Sequence, residues 1–241
     1  MSVLMSVKST AKLLCAALCL ASLVTPARAA AKKAAAHKHY GPETDVALSG
    51  YGWLNTTSNL SSGLTQIPAN SVGGMLEVRH ISTPLIGYEV SFGYNRANQE
   101  YSNPISCPGA SCPLTPYAAS VSASATQVLG NWVFTFPLKG IHFFALGGGG
   151  LILFQPSQGT LYSYSLQDNP AFQNSTAPTS GTSAPAFDYG IGVDWALWHH
   201  LGARFQYRGL YYKSPALTSS FSSTQVFTQS YEPMVGVTYR F

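Results

Sequence analysis

Two cysteines, a few histidines, a run of four glycines and a sparse set of charges are the residues here that could do chemistry. Cys107 and Cys112 enclose Pro108, Gly109, Ala110 and Ser111. In a secreted protein such an even pair reads as a disulfide closing a tight loop; the alternative is two free thiols. A zinc site would need a second ligand pair or a nearby histidine, and neither is present. His199 and His200 are adjacent, and adjacent residues on a strand point to opposite faces. They make a poor chelate and read as turn residues. Gly147 to Gly150 are followed by Leu151 and Ile152. A phosphate-cradling loop needs Lys and then Ser or Thr there, so the glycines read as a place of strong strand bending and close packing. No cofactor and no metal are expected.

The charges gain meaning from the elements that carry them. Tyr88, Val90, Phe92 and Tyr94 alternate with Glu89, Ser91, Gly93 and Asn95. Phe187, Tyr189, Ile191, Val193, Trp195 and Leu197 alternate with Asp188, Gly190, Gly192, Asp194 and Ala196. Leu201, Ala203, Phe205, Tyr207 and Tyr211 alternate with Arg204, Gln206 and Arg208. Successive side chains on a strand point to opposite faces, so each segment has one aromatic, apolar face and one small, polar or charged face. Leu76 and Val78 against Glu77 and Arg79 repeat the pattern, as do Val128, Trp132, Phe134 and Phe136 against Gln127, Asn131 and Thr135. In the closing stretch Val235, Val237, Tyr239 and Phe241 share one parity. Met234, Gly236, Thr238 and Arg240 share the other. The facing of the first strand, broken by Gly50, Gly52 and Trp53, stays open, as does that of the glycine-bearing fifth.

About eight strands are expected between residues 44 and 241. Ser-, Thr-, Asn- and Pro-rich stretches at 55–70, 97–119, 155–185 and 213–223 read as long loops. Short turns are expected near Pro84, between Pro137 and Gly140, and at Trp198 to His200. Long connections follow strands one, three, five and seven, and short ones follow two, four and six. That asymmetry belongs to membrane β-barrels with tight periplasmic turns and longer outer loops.

Composition agrees. Only 9% of residues are charged against 12% aromatic, at a mean hydropathy of +0.08. No apolar run past the amino terminus reaches the roughly 20 residues of a membrane helix. The first 29 residues read as a secretory signal: Lys8 and Lys12, an apolar core from Leu13 to Val24, then Ala27-Arg28-Ala29. Residues 30–43, with Lys32, Lys33 and Lys38, read as a flexible periplasmic leader. From Val46 onward basic and acidic residues balance, so no basic face for nucleic acid is expected.

A soluble barrel would be polar outside and apolar inside. Here the face bearing the charges is the narrow one, and an Arg or Lys facing mid-bilayer lipid costs about 2–4 kcal/mol. The large aromatics are therefore expected to face lipid. Glu77, Arg79, Glu89, Asp188, Asp194, Arg204, Arg208, Glu232 and Arg240 are expected in the lumen or at its rims. Mixed signs in so narrow a space should pair. The favoured reading is a plugged structural barrel, and the alternative is a gated small pore lined by the same charges.

The alternating strands, the signal, the loop asymmetry and the terminal Val235, Val237, Tyr239, Phe241 resemble the OmpA-like outer-membrane β-barrel superfamily, the small barrels that include OmpX- and Opa-type proteins. The resemblance implies an all-β, eight-stranded antiparallel transmembrane barrel in the bacterial outer membrane. Its terminal strand would serve as the signal read by the barrel-assembly machinery. The surroundings it implies are outer-membrane lipid and lipopolysaccharide, with an unknown extracellular ligand at the outer loops and a monomeric state. Some small barrels of this kind modify lipid A with a Ser-His-acid site. His80 and Ser82 have the required spacing, with Glu77 or Glu89 as the acid, but they adjoin a turn expected to be periplasmic, on the wrong side for lipid A. No enzyme activity is expected. The role expected is structural and surface-interactive through the outer loops, with a small diffusion pore as the alternative.

Overall fold

The computed structural model describes residues 43–59, 63–103, 115–138, 141–165, 171–221 and 226–241. The segment expected to be the signal, nearly all of the leader, and Cys107 and Cys112 lie outside the described residues. The rest is built from strands: β1 (Glu43–Asn55), β2 (Ser58–Asn59), β3 (Thr65–Pro68), β4 (Ser71–Ile81), β5 (Ile86–Ser102), β6 (Thr115–Leu138), β7 (Ile141–Ser165), β8 (Ala171–Thr176), β9 (Thr182–Ala196), β10 (Leu201–Lys213) and β11 (Phe227–Arg240).

Eight of these close on themselves. β1 pairs β4, β4 pairs β5, β5 pairs β6, β6 pairs β7, β7 pairs β9, β9 pairs β10, β10 pairs β11, and β11 returns to β1, all antiparallel. Stepping across the register from Asp45 leads through Arg79, Glu89, Asn131, Gly148, Asp188, Leu210 and Ser230 and arrives at Asn55. The circuit thus climbs ten residues of β1, from Asp45 to Asn55. For eight strands such a stagger tilts them by about 40°, within the range usual for closed barrels. At that size the interior is just wide enough for side chains to fill.

The wall turns its apolar residues outward. Trp132, Ile191, Trp195, Phe205, Val235 and Val237 are among the large side chains exposed on the outside. The inward face alternates with it, as the period of two requires. Two expectations need correction. Not every large aromatic faces lipid: Tyr51, Trp53, Phe144, Phe154 and Tyr212 are buried inside. β1 decides this for the first two, because its inward parity begins at Asp45 and runs through Ala47 and Ser49. The stretches expected as long loops also contain much strand. β5 runs on to Ser102, β6 begins at Thr115, β7 reaches Ser165, and β3 and β8 add to the tops of β5 and β7. Above the lipid-facing band the outward residues of β6 become Ser120, Ser122 and Ser124, while its inward ones are Ala119, Val121, Ala123 and Ala125. The apolar alternation fades, but the ladder continues because its hydrogen bonds are made by the backbone.

The glycine run behaves as its spacing suggests. A Cβ on Gly148 or Gly150 would collide with β6 backbone at Gly130 or Val128, so β7 lies unusually close to its neighbour there.

Candidate functional site

Three guanidiniums organise the lumen. Arg79 reaches Glu89 through Nε and Nη2 at 2.9 and 2.6 Å, and Asp194 through Nη1 at 2.8 Å. Its guanidinium also lies 3.9 Å from the centre of the Phe144 ring. Arg204 donates to Asp194 through Nε and Nη2 at 2.7 and 3.1 Å and to Asp45 at 2.9 Å. Its Nη1 lies 3.5 Å from Glu89 and 3.8 Å from Glu77. Arg208 donates to Ser91 at 3.0 Å and to Glu89 at 3.2 Å, with Glu77 at 3.5 Å and Asp188 at 3.7 Å. Gln206 lies between Glu77 and Arg208. With its amide nitrogen toward Glu77 (3.2 Å) and its oxygen toward Arg208 (3.0 Å) it satisfies both. Ser49 donates to Glu77 at 2.8 Å.

Six carboxylates surround these three cations: Asp45, Glu77, Glu89, Asp188, Asp194 and Glu232. The sequence reading missed Asp45, whose inward parity with Ala47 and Ser49 was the available signal. The surplus carboxylates are held by amides. Asn131 donates to Asp188 at 2.8 Å and Gln127 to Glu232 at 2.6 Å. Among the described residues Glu232 is the lumen carboxylate with no guanidinium within 4.0 Å. Gln127, Asn131 and Gln206 are thus part of the network and were not singled out as such by the sequence. Arg240 stands apart from it: it pairs with Glu43 at 2.7 Å at the partly exposed rim, beside His200, whose Nδ1 meets the Arg240 carbonyl at 2.8 Å.

Further along the strands an apolar layer fills the bore. Tyr51, Trp53, Met75, Leu129, Ile152 and Tyr212 belong to one buried cluster, with Trp53 and Tyr212 edge to face at 6.3 Å. Residues 214–221 lie across the top. Leu217 is fully buried, and Phe221 stacks on Tyr101 with ring centres 6.1 Å apart. The Tyr101 hydroxyl donates to the Pro215 carbonyl at 2.9 Å and accepts from the Leu217 amide at 3.2 Å. Tyr101 lies above the lipid-facing band, and burial pushes its phenol up to about 12, so it stays a neutral donor at any physiological pH. A bridge between Thr179 and Thr218, and a bond from the Ser180 amide to the Leu217 carbonyl at 3.0 Å, fix the strap's other side.

The candidate hydrolase residues are not brought together. His80 faces outward against Tyr88 and bonds Thr44 at 2.8 Å, and Ser82 is in the exposed turn. Glu77 and Glu89 point the other way, into the guanidinium network. The terminal Val235, Val237, Tyr239 and Phe241 line the outside of β11 and its end.

A closed barrel, apolar outside and charged within, is a transmembrane β-barrel, because only lipid tolerates such an exterior and only closure satisfies every backbone group inside a bilayer. The chain matches the outer membrane protein beta-barrel domain family over residues 15–241 and belongs to it. It is a bacterial outer-membrane protein. No curated protein matches it. Among solved structures it is similar to Ail of Yersinia pestis, at 14% identity over 83% of this chain and 99% of that one, with a TM-score of 0.43. Neisserial surface protein A gives 11% identity over 83% and 99% at a TM-score of 0.43. OprG from Pseudomonas aeruginosa gives 12% over 83% and 96% at 0.44.

Proposed function

We propose that this protein is a closed outer-membrane barrel with a structural and surface-interacting role, exercised by the strands and loops that rise above the outer leaflet. The observation that carries this reading is the filling of the bore. A paired charge layer and an aromatic layer occupy it in turn, and the strap at 214–221 covers the end. An eight-stranded interior leaves little room for water beside so many large side chains. The barrel-assembly machinery is the partner suggested for its biogenesis, and the ligand-facing surface is extracellular.

Single-channel recording of the refolded protein in a planar bilayer tests this. Inserted protein that gives no discrete openings is the expected result. Reproducible openings would replace this reading with that of a small diffusion pore.

A further inference from the structure

The tops of β5, β6 and β7 present an outward face unlike the rest of the wall. Lower on the same strands the outward positions are Val90 and Tyr94, Val128 and Trp132, and Leu151. Higher up they become Asn98 on β5, Ser120, Ser122 and Ser124 on β6, and Gln155 and Gln158 on β7. The register aligns these side by side: Asn98 with Ser122, Glu100 with Ser120, Ser124 with Gln155, and Ser122 with Gln158. They form one sheet face of hydroxyls and carboxamides, edged by the exposed Ile67 of β3 opposite Glu100. Its charges are one Arg96 and one Glu100, so it is close to neutral. A bulge between Ser122 and Ala123 turns Ser157 out, where its hydroxyl donates to the Ser122 carbonyl at 3.2 Å and receives Arg96 Nη2 at 3.0 Å.

Resting on the proposed surface role, we propose that this face binds the saccharide portion of the surrounding lipopolysaccharide. The face is the direct upward continuation of the lipid-facing wall, on the same strands and of the same parity. What stands beside it is therefore whatever stands above the lipid A acyl chains. Hydroxyl and amide groups exchange hydrogen bonds with sugar hydroxyls without burying an unpaired charge. A protein partner would look for buried aromatic or Arg anchors; none of the positions just named is aromatic, and Arg96 is exposed and bonded to Ser157. A phosphate-rich surface would call for several cations. Arg96 is the face's cation and lies in its lowest row, opposite Ser124.

The test compares thermal unfolding of the inserted protein in three bilayers: full lipopolysaccharide, lipid A lacking the core and outer saccharides, and phospholipid alone. The wild type is expected to unfold at a higher temperature with the sugars than with lipid A alone. Ser120→Ala, Ser122→Ala and Ser124→Ala combined should lose most of that difference. Asn98→Ala, a single exposed change, should lose part of it and stands in should the triple variant fold poorly. Equal midpoints in lipopolysaccharide and lipid A would overturn the proposal and assign any stabilisation to lipid A itself. A sugar-dependent rise kept in full by Asn98→Ala and by the folded triple variant would overturn it as well. Conductance of the same samples separates the two readings. Openings together with a sugar-dependent shift sink only the closed-lumen role, and silence without a shift sinks only this proposal.

Discussion

Arg204 and Glu232 show how differently two fully buried charges can matter. Arg204 is within 4.0 Å of four carboxylates, Asp45, Glu77, Glu89 and Asp194. Removing it strands several buried charges at once, a situation that costs about 3–5 kcal/mol when one partner of a buried pair is deleted. Arg204→Met should therefore lower the stability of the inserted barrel by about that amount, read from the urea midpoint of unfolding. Glu232 has one neutral partner, Gln127, at 2.6 Å. Glu232→Gln keeps the shape and a hydrogen-bonding group, so its cost should stay within about 1.5 kcal/mol. Equal losses for the two variants would contradict the division between ion-paired and amide-held carboxylates.

At the scale of elements, the strap and the closing strand make separate predictions. Residues 214–221 are held by Leu217, which is buried among aromatic side chains, and by the Tyr101 hydroxyl. Leu217→Ala removes that anchor. It should speed hydrogen exchange of the Leu217 and Ser180 amides at least tenfold, which corresponds to about 1.4 kcal/mol, while β9 to β11 keep their protection. A change spread over the whole barrel would mean that the strap is not a local unit. β11 ends with Phe241 exposed on the lipid side, its amide bonded to the Thr44 carbonyl at 3.0 Å. Deleting Phe241 should reduce the fraction of protein that reaches the heat-modifiable, membrane-inserted form. Unchanged assembly would remove the terminal strand from its expected role as a signal.

For the whole molecule, the charge layer and the aromatic layer with its strap are two seals in series. Weakening one should not open the bore. Leu217→Ala and Arg204→Met are each expected to stay electrically silent in planar bilayers, and openings in either single variant would locate the whole barrier in the layer it disturbs. Closure also explains why the network is so dense. Eight tilted strands bring inward positions from distant parts of the chain to one level. Arg79 meets Asp194, 115 residues away, and Arg204 meets Asp45, 159 away.

The sequence by itself determined the class of fold and the inward side of most strands. A strand's period of two is a property of the backbone, so alternation such as Asp188-Tyr189-Gly190-Ile191 declares its two faces without any partner. It also placed Arg204, Arg208, Glu77 and Glu89 on the charge-bearing face, because lipid excludes that face energetically. Where the alternation faded, at the end of β5 past Asn95, at the start of β6 before Ser120, in β7 past Phe154 and in β8, the signal vanished and strand read as loop. β1 was ambiguous because its glycines break the alternation, which hid Asp45, Tyr51 and Trp53. Only the tertiary structure decided which charges meet, which amides hold the surplus carboxylates, and that 214–221 covers the bore. Those outcomes depend on the stagger with which the barrel closes, and stagger is a relation among all eight strands at once, to which no local stretch of sequence is sensitive.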